Sequence, residues 1–159
     1  FHCVIRPNKT TMMRILIALI SAAMFQHSSA EDAKIEITAN DQMQYNIKAF
    51  EVTEGQKVVL SLKHIGQLPA LAMGHNMVIL AAGTAVPAFA TKCAPAKDTD
   101  YIPQDEDSKK EMIAHSKMLG GGESDQITFT APAAGEYPFI CTFPGHFAIM
   151  QGVMTVKAK

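Results

Sequence analysis

Residues 57 to 63 set the first constraint on the fold: Val58, Leu60 and Leu62 alternate with Lys57, Ser61 and Lys63. A period of two gathers every second side chain on one face of an extended strand, whereas a helix would scatter the same apolar groups around its axis. Ile35 and Ile37 alternate with Glu36 and Thr38 in the same way, and both segments are expected to be half-buried antiparallel strands. Further strand candidates are Gln44 to Val52, Asn76 to Leu80, Gln126 to Thr130, Tyr137 to Cys141 and Gly152 to Lys157, separated by turn signals such as Glu54-Gly55 and Ala134-Gly135. Short strands repeating at this spacing predict an all-β sandwich or barrel.

Between Ala81 and Gly122 the alternation stops. Ala85 to Lys92 predicts a short helix packed on the outside, and Met112 to Leu119 one more strand. Asp98 to Lys110 is rich in charge and contains Pro103, which predicts an exposed loop. There is no internal repeat and no low-complexity tract, so the expectation is one domain with a decorated edge.

The N-terminal segment follows different rules. Arg14 precedes the apolar run Ile15 to Phe25, and His27-Ser28-Ser29-Ala30 follows it. A basic start, a short apolar stretch and small residues at a cleavage site describe a secretory signal peptide, and the run is too short for a membrane-spanning helix, which needs roughly 20 residues. Residues 1–30 are therefore assigned as a signal peptide cleaved near Ala30. Residues 1–11, upstream of Met12 and Met13, are excluded from fold reasoning. The domain is residues 31–159.

Removing Arg6, Lys9 and Arg14 from the 14 basic residues leaves 11 against 15 acidic, a net charge of −4 for the mature segment. Such a chain has no positive excess with which to neutralise a phosphate backbone, which argues against nucleic-acid binding. Two cysteines remain, Cys93 and Cys141. In an exported protein two cysteines invite a disulfide, but Cys141 has a competing role.

Cys141, His146 and Met150 stand at C-x4-H-x3-M, in a segment that leaves a strand and turns through Pro144-Gly145. Three donors of soft or borderline character within ten residues can be aimed at one centre. The mature segment holds only four histidines, His64, His75, His115 and His146. His75 is the best second imidazole, because it lies just before an apolar strand and Gly74 can bring its carbonyl oxygen close. Two imidazoles, a thiolate and a weak thioether suit a blue copper centre, since thiolate and thioether favour Cu(I) while imidazole serves both oxidation states. The implied cofactor is one copper ion, and a pairing of Cys93 with Cys141 would consume its thiolate. Cys93 is accordingly expected to be a free or buried thiol.

Asn40-Asp41-Gln42-Met43-Gln44-Tyr45, Gln67-Leu68-Pro69, Met73-Gly74-His75-Asn76, Ile113-Ala114-His115-Ser116-Lys117 and Cys141-Thr142-Phe143-Pro144-Gly145-His146 together resemble the azurins, small bacterial cupredoxins. The resemblance runs through almost all of residues 31–159. It implies an eight-stranded cupredoxin-like Greek-key sandwich with a short helix in an insertion. It also implies His75, Cys141 and His146 as equatorial ligands, Met150 as a distant axial ligand and the Gly74 carbonyl opposite it. An apolar patch through which His146 reaches the surface is implied at Met43, Met73, Phe143, Pro144, Phe147, Ala148 and Ile149. The resemblance also implies an inward-facing His64 near the copper end; His115 is expected at a surface strand position, and no residue is expected to be catalytic.

Two departures accompany the resemblance. The positions matching the family's disulfide fall near Ala33 and Gly55, and the core position usually filled by tryptophan is Met77 in a chain with no tryptophan. The expected function is a soluble, monomeric periplasmic carrier of single electrons, with c-type cytochromes and terminal reductases or peroxidases as partners. The alternative is a copper protein for storage, delivery or stress protection. Neither reading makes the chain an enzyme.

Overall fold

The computed structural model describes residues 31–159; the signal-peptide assignment lies outside them. Among the described residues nine strands, one more than the eight expected, form two packed sheets. One has the order β2-β1-β4-β7, built from β1 (Ala33–Asn40), β2 (Gln44–Tyr45), β4 (Lys57–His64) and β7 (Ser124–Thr130). The other has the order β3-β9-β8-β5-β6, built from β3 (Ala49–Thr53), β5 (Val78–Leu80), β6 (Met112–His115), β8 (Gly135–Ile140) and β9 (Gln151–Lys157).

The alternation of residues 57 to 63 becomes strand β4, where Val58, Leu60, Leu62 and His64 all face inward. In register, Ile35 pairs with Leu60 and Ile37 with Leu62 on β1, while Ile127 lies opposite Leu60 and Phe129 opposite Val58 on β7. The second sheet supplies the facing half of the core with Met77, Ile79, Tyr137, Phe139 and Met154, all buried. Phe139 meets Phe50 at a ring-centroid distance of 5.6 Å and Tyr45 at 5.9 Å. Met77 has no exposed surface and fills a central position of the core.

The pairing directions correct one expectation. β1 runs parallel to β4 and β3 parallel to β9, while the remaining ladders are antiparallel. The cause is the break in Gln44 to Val52, which is two strands instead of one. The chain leaves the first sheet after Tyr45, crosses to the second as β3, and returns as β4 beside β1. A strand that returns after such a crossing points the same way as its neighbour.

The insertion differs in detail as well. Helix α2 spans Val86–Cys93, close to its expected limits, and a four-residue helix α1 (Ala70–Met73) precedes His75. The expected strand from Met112 to Leu119 ends at His115. Asp98 to Lys110 is not wholly exposed: Ile102, Pro103 and Ser108 are buried, and Glu106–Lys110 forms helix α3, capped by the Asp105 carboxylate accepting from Ser108 N–H. The physical reason lies in β5. Its Val78 and Leu80 point away from the main core, so the apolar strand is buried on both faces, and Phe89, Ala90, Cys93 and Ile102 cover the outer one as a side core.

Candidate metal centre

Cys141 closes the inward row of β8 that contains Tyr137 and Phe139, and it has no exposed surface. The chain then turns through Pro144-Gly145, where Gly145 adopts φ +83°, a left-handed conformation that glycine takes without steric penalty. A 3-10 turn over His146–Ala148 follows, and Met150 returns to the core at 1% exposure, its carbonyl accepting from Cys141 N–H at 3.0 Å.

His75 arrives from the other side of the site. Its backbone is locked to Leu119 by two hydrogen bonds, His75 N–H to Leu119 O at 3.0 Å and Leu119 N–H to His75 O at 2.8 Å. Its ring is fixed separately, because Nε2 lies 2.8 Å from the Asn40 carbonyl. A carbonyl only accepts, so Nε2 carries the proton and Nδ1 presents its lone pair to the interior. Gly74 is required by space: a Cβ there would fall 2.6 Å from the Ala70 carbonyl oxygen and 2.8 Å from the Met118 sulfur.

These elements place three donors together. Cys141 Sγ lies 4.0 Å from His75 Nδ1 and 3.7 Å from His146 Nδ1, and the two nitrogens are 3.3 Å apart. The point equidistant from all three is about 2.1 Å from each, within the roughly 2.0–2.3 Å that imidazole and thiolate ligands keep from a borderline metal ion. The buried triad His75, Cys141 and His146 therefore fits a copper ion bound by two nitrogens and a sulfur. The Gly74 carbonyl oxygen is 3.8 Å from Cys141 Sγ, on the rim of the same site.

Burial sets the protonation of all three donors. Burial pushes the Cys141 thiol up to about 11, opposed by the backbone N–H groups of Asn76 and Phe143 that point at the sulfur. Burial also holds His75 down to about 4 and lowers His146. Around physiological pH both imidazoles are neutral and ready to donate, and the sulfur is held by donors that match a thiolate.

A polar frame missed by sequence reasoning ties the two halves of the site. Asn76 Nδ2–H donates to Thr142 Oγ1 at 2.7 Å, and Thr142 N–H donates to Asn76 Oδ1 at 2.9 Å, with both residues buried. Tyr45 adds a hydroxyl that donates to the Asn76 carbonyl. Asn40 and Asn76 stand in the quoted motifs, but nothing in their spacing announces these contacts.

The surface residues divide. Pro144, Ala148 and Ile149 are exposed, with Ile149 at 49%, while Met43, Met73 and Phe143 are half-buried. Phe147 turns toward the side core. His146 is itself only 5% exposed, so its neighbours supply most of the surface above it. Leu71 was not foreseen as part of this surface, nor were Ile65 and Leu68 foreseen as exposed apolar side chains. Ile65, Leu68 and Leu71 are 56%, 42% and 86% exposed, and Leu71 shares a cavity wall with Phe143. His64 is buried with its ring 4.5 Å from that of His75, and His115 is exposed on β6. Cys93 is buried and unbridged, its thiol 3.4 Å from the Phe89 carbonyl.

Comparison with known proteins agrees with this geometry. Residues 31–157 match the family described as copper binding proteins, plastocyanin/azurin family. The chain belongs to the plastocyanin/azurin family. This plastocyanin/azurin-family chain is 39% identical over 146 residues to the azurin of Pseudomonas aeruginosa, covering 89% of this chain and 94% of that protein. To the azurin of Bordetella pertussis it is 38% identical over 143 residues, covering 87% and 91%. Among solved structures, a dithionite-reduced auracyanin from Roseiflexus castenholzii superposes with a TM-score of 0.71 at 39% identity, covering 79% of this chain and 98% of that one. Membership in this family and the His75, Cys141, His146 cluster make copper the cofactor.

Proposed function

We propose that this protein is a soluble periplasmic carrier of single electrons. When bound, copper supplies a one-electron couple between Cu(II) and Cu(I). The observation that supports this reading is the closed donor set. The nitrogens of His75 and His146 and the sulfur of Cys141 face one another in a site with no exposed sulfur, where they would hold the copper, and the buried Met150 and the Gly74 carbonyl would be its further donors. A site without an open position has nowhere to activate water or substrate, which separates a carrier from an enzyme.

The residues around the donors do the rest. The Asn76 and Thr142 side chains and the Asn40 carbonyl keep both histidine-bearing segments in place when the charge at the centre changes, so little atomic movement accompanies transfer. Apolar core side chains surround the sulfur and favour the form of lower net charge. Pro144, Ala148, Ile149 and Leu71 would offer partners an exposed apolar surface. Brief contacts on such a surface, with c-type cytochromes as donors and terminal reductases or peroxidases as acceptors, suit rapid release.

The test is electron self-exchange between oxidised and reduced copper-loaded protein, followed by NMR line broadening, alongside copper loss to a chelating acceptor. A carrier exchanges electrons quickly and retains its metal. Slow exchange with ready copper transfer would place the protein among storage or delivery proteins.

A further inference from the structure

The segment between α2 and α3 holds two consecutive non-glycine residues in the left-handed region, Asp100 at φ +55° and Tyr101 at φ +60°. Side chains with a Cβ disfavour this conformation, and two in succession persist only where surrounding contacts hold them. The Tyr101 N–H donates to the Ala96 carbonyl at 2.8 Å, and the ring packs on the side core formed by Phe89, Cys93 and Ile102. The strained pair turns that ring toward the copper loop. Tyr101 meets Phe143 edge to face at 5.4 Å and 64°, and Phe143 in turn covers the His146 imidazole at 4.5 Å and 38°. On the far side of the same loop, Phe147 packs against the side core.

From this chain of contacts we infer that the insertion is the outer wall of the metal centre, with Tyr101 a positioning residue that holds Phe143 against His146. The loop Cys141–Met150 is thus gripped from two cores, Phe143 packing on the main core and Phe147 on the side core. Tyr101 and Phe143 also share the wall of a cavity of about 120 Å³ with Leu71, Lys97, Asp100 and Met118. On the side of the insertion the Tyr101 ring is the aromatic contact that backs Phe143 where it covers His146. The inference takes the copper site as given, but its test is read from the protein itself.

The test is amide hydrogen exchange on the folded 31–159 chain, metal-free and copper-loaded, for wild type, Tyr101→Leu, Tyr101→Phe and Phe143→Leu. The reporters are the amides of His146, Ile149 and Met150, whose hydrogen bonds lie within the loop. In Tyr101→Leu they should exchange about ten-fold faster, the scale on which supporting contacts of a metal site act. Amides of β4 should not change, and Tyr101→Phe should match wild type. The effect of Tyr101→Leu should vanish in the Phe143→Leu background, because the two residues act through one contact. In the copper-loaded form the reduction potential and the visible band should move with Tyr101→Leu and not with Tyr101→Phe. If Tyr101→Leu fails to fold, Phe143→Leu tests the same contact from the loop side by accelerating the Tyr101 and Ile102 amides. Unchanged loop exchange, acceleration spread equally through β4, or additive effects of the two substitutions would overturn the inference. A wild-type protein that binds no copper would instead overturn the reading of the site and leave the loop result standing.

Discussion

Asn76 and Thr142 are joined by two buried hydrogen bonds at 2.7 and 2.9 Å, and through them the segment that carries His75 is fastened to the strand end that carries Cys141. The pair lies 66 residues apart in sequence, yet it sets the spacing between two of the three donors. Asn76→Ala would leave the Thr142 N–H and hydroxyl without partners in a dry interior. Unsatisfied buried groups cost about 1–3 kcal/mol each, so a loss of about 2–3 kcal/mol is expected, or roughly 10 °C in Tm. Calorimetry of the metal-free protein checks it, and a Tm within 2 °C or so of wild type would contradict the assignment.

Copper binding should release one proton between about pH 7 and pH 9. Cys141 is protonated in the metal-free protein because burial raises it to about 11, while His75, held down to about 4, is already neutral. Copper affinity should therefore rise about ten-fold per pH unit in this window, and calorimetric titration in buffers of different ionisation enthalpy counts the proton. Cys141→Ser removes the thiolate and with it the intense blue band, because a hydroxyl cannot act as the soft donor.

Stability of the metal-free protein should peak between about pH 6.5 and 9. His75 falls from 6.5 to about 4 on folding, so below pH 6.5 the unfolded chain binds more protons and stability is lost as pH drops through 4. Cys141 and Cys93 rise from 9 to about 11 and about 12, so above pH 9 the folded protein holds protons that the unfolded chain has released, and stability falls as pH climbs through those values. Each proton changes stability by at most about 1.4 kcal/mol per pH unit. Urea midpoints measured from pH 4 to 10 trace both limbs.

Met150→Leu should keep the blue centre and raise its reduction potential, because one donor is lost and Cu(I) accepts lower coordination than Cu(II). Voltammetry of both proteins measures the difference. An unchanged or lowered potential would remove Met150 from the donor set.

Cys93 should not react with a water-soluble disulfide reagent in the folded protein. It is buried in the side core, and burial pushes its thiol up to about 12, so almost no thiolate is available at neutral pH. In denaturant the mature metal-free chain should titrate two thiols, Cys93 and Cys141.

The parts of this fold visible in the sequence are those governed by local pattern. Strand β4 and the row Tyr137, Phe139, Cys141 each bury one face, so period two marks them. The donors were visible because their chemistry is rare in combination: sulfur, imidazole and sulfur within the single loop from Cys141 to Met150. The parallel pairing of β1 with β4 was not visible, since strand direction depends on where the chain crosses between sheets, and the shift of the apolar positions from Tyr45 and Ile47 to Phe50 and Val52 does not say to which sheet the second segment goes. Ile102 stands alone among charged residues, which hides its burial until Val78 and Leu80 are seen to need a cover on their outer face. Asn40, Asn76 and Thr142 gain their roles only from partners distant in sequence.

The most direct measurement of the central claim is addition of Cu(II) to purified metal-free protein while recording the visible spectrum. His75, Cys141 and His146 acting together predict an intense blue thiolate-to-copper band that saturates at one copper per chain. A colourless complex, or a band that persists in Cys141→Ser, would contradict the account.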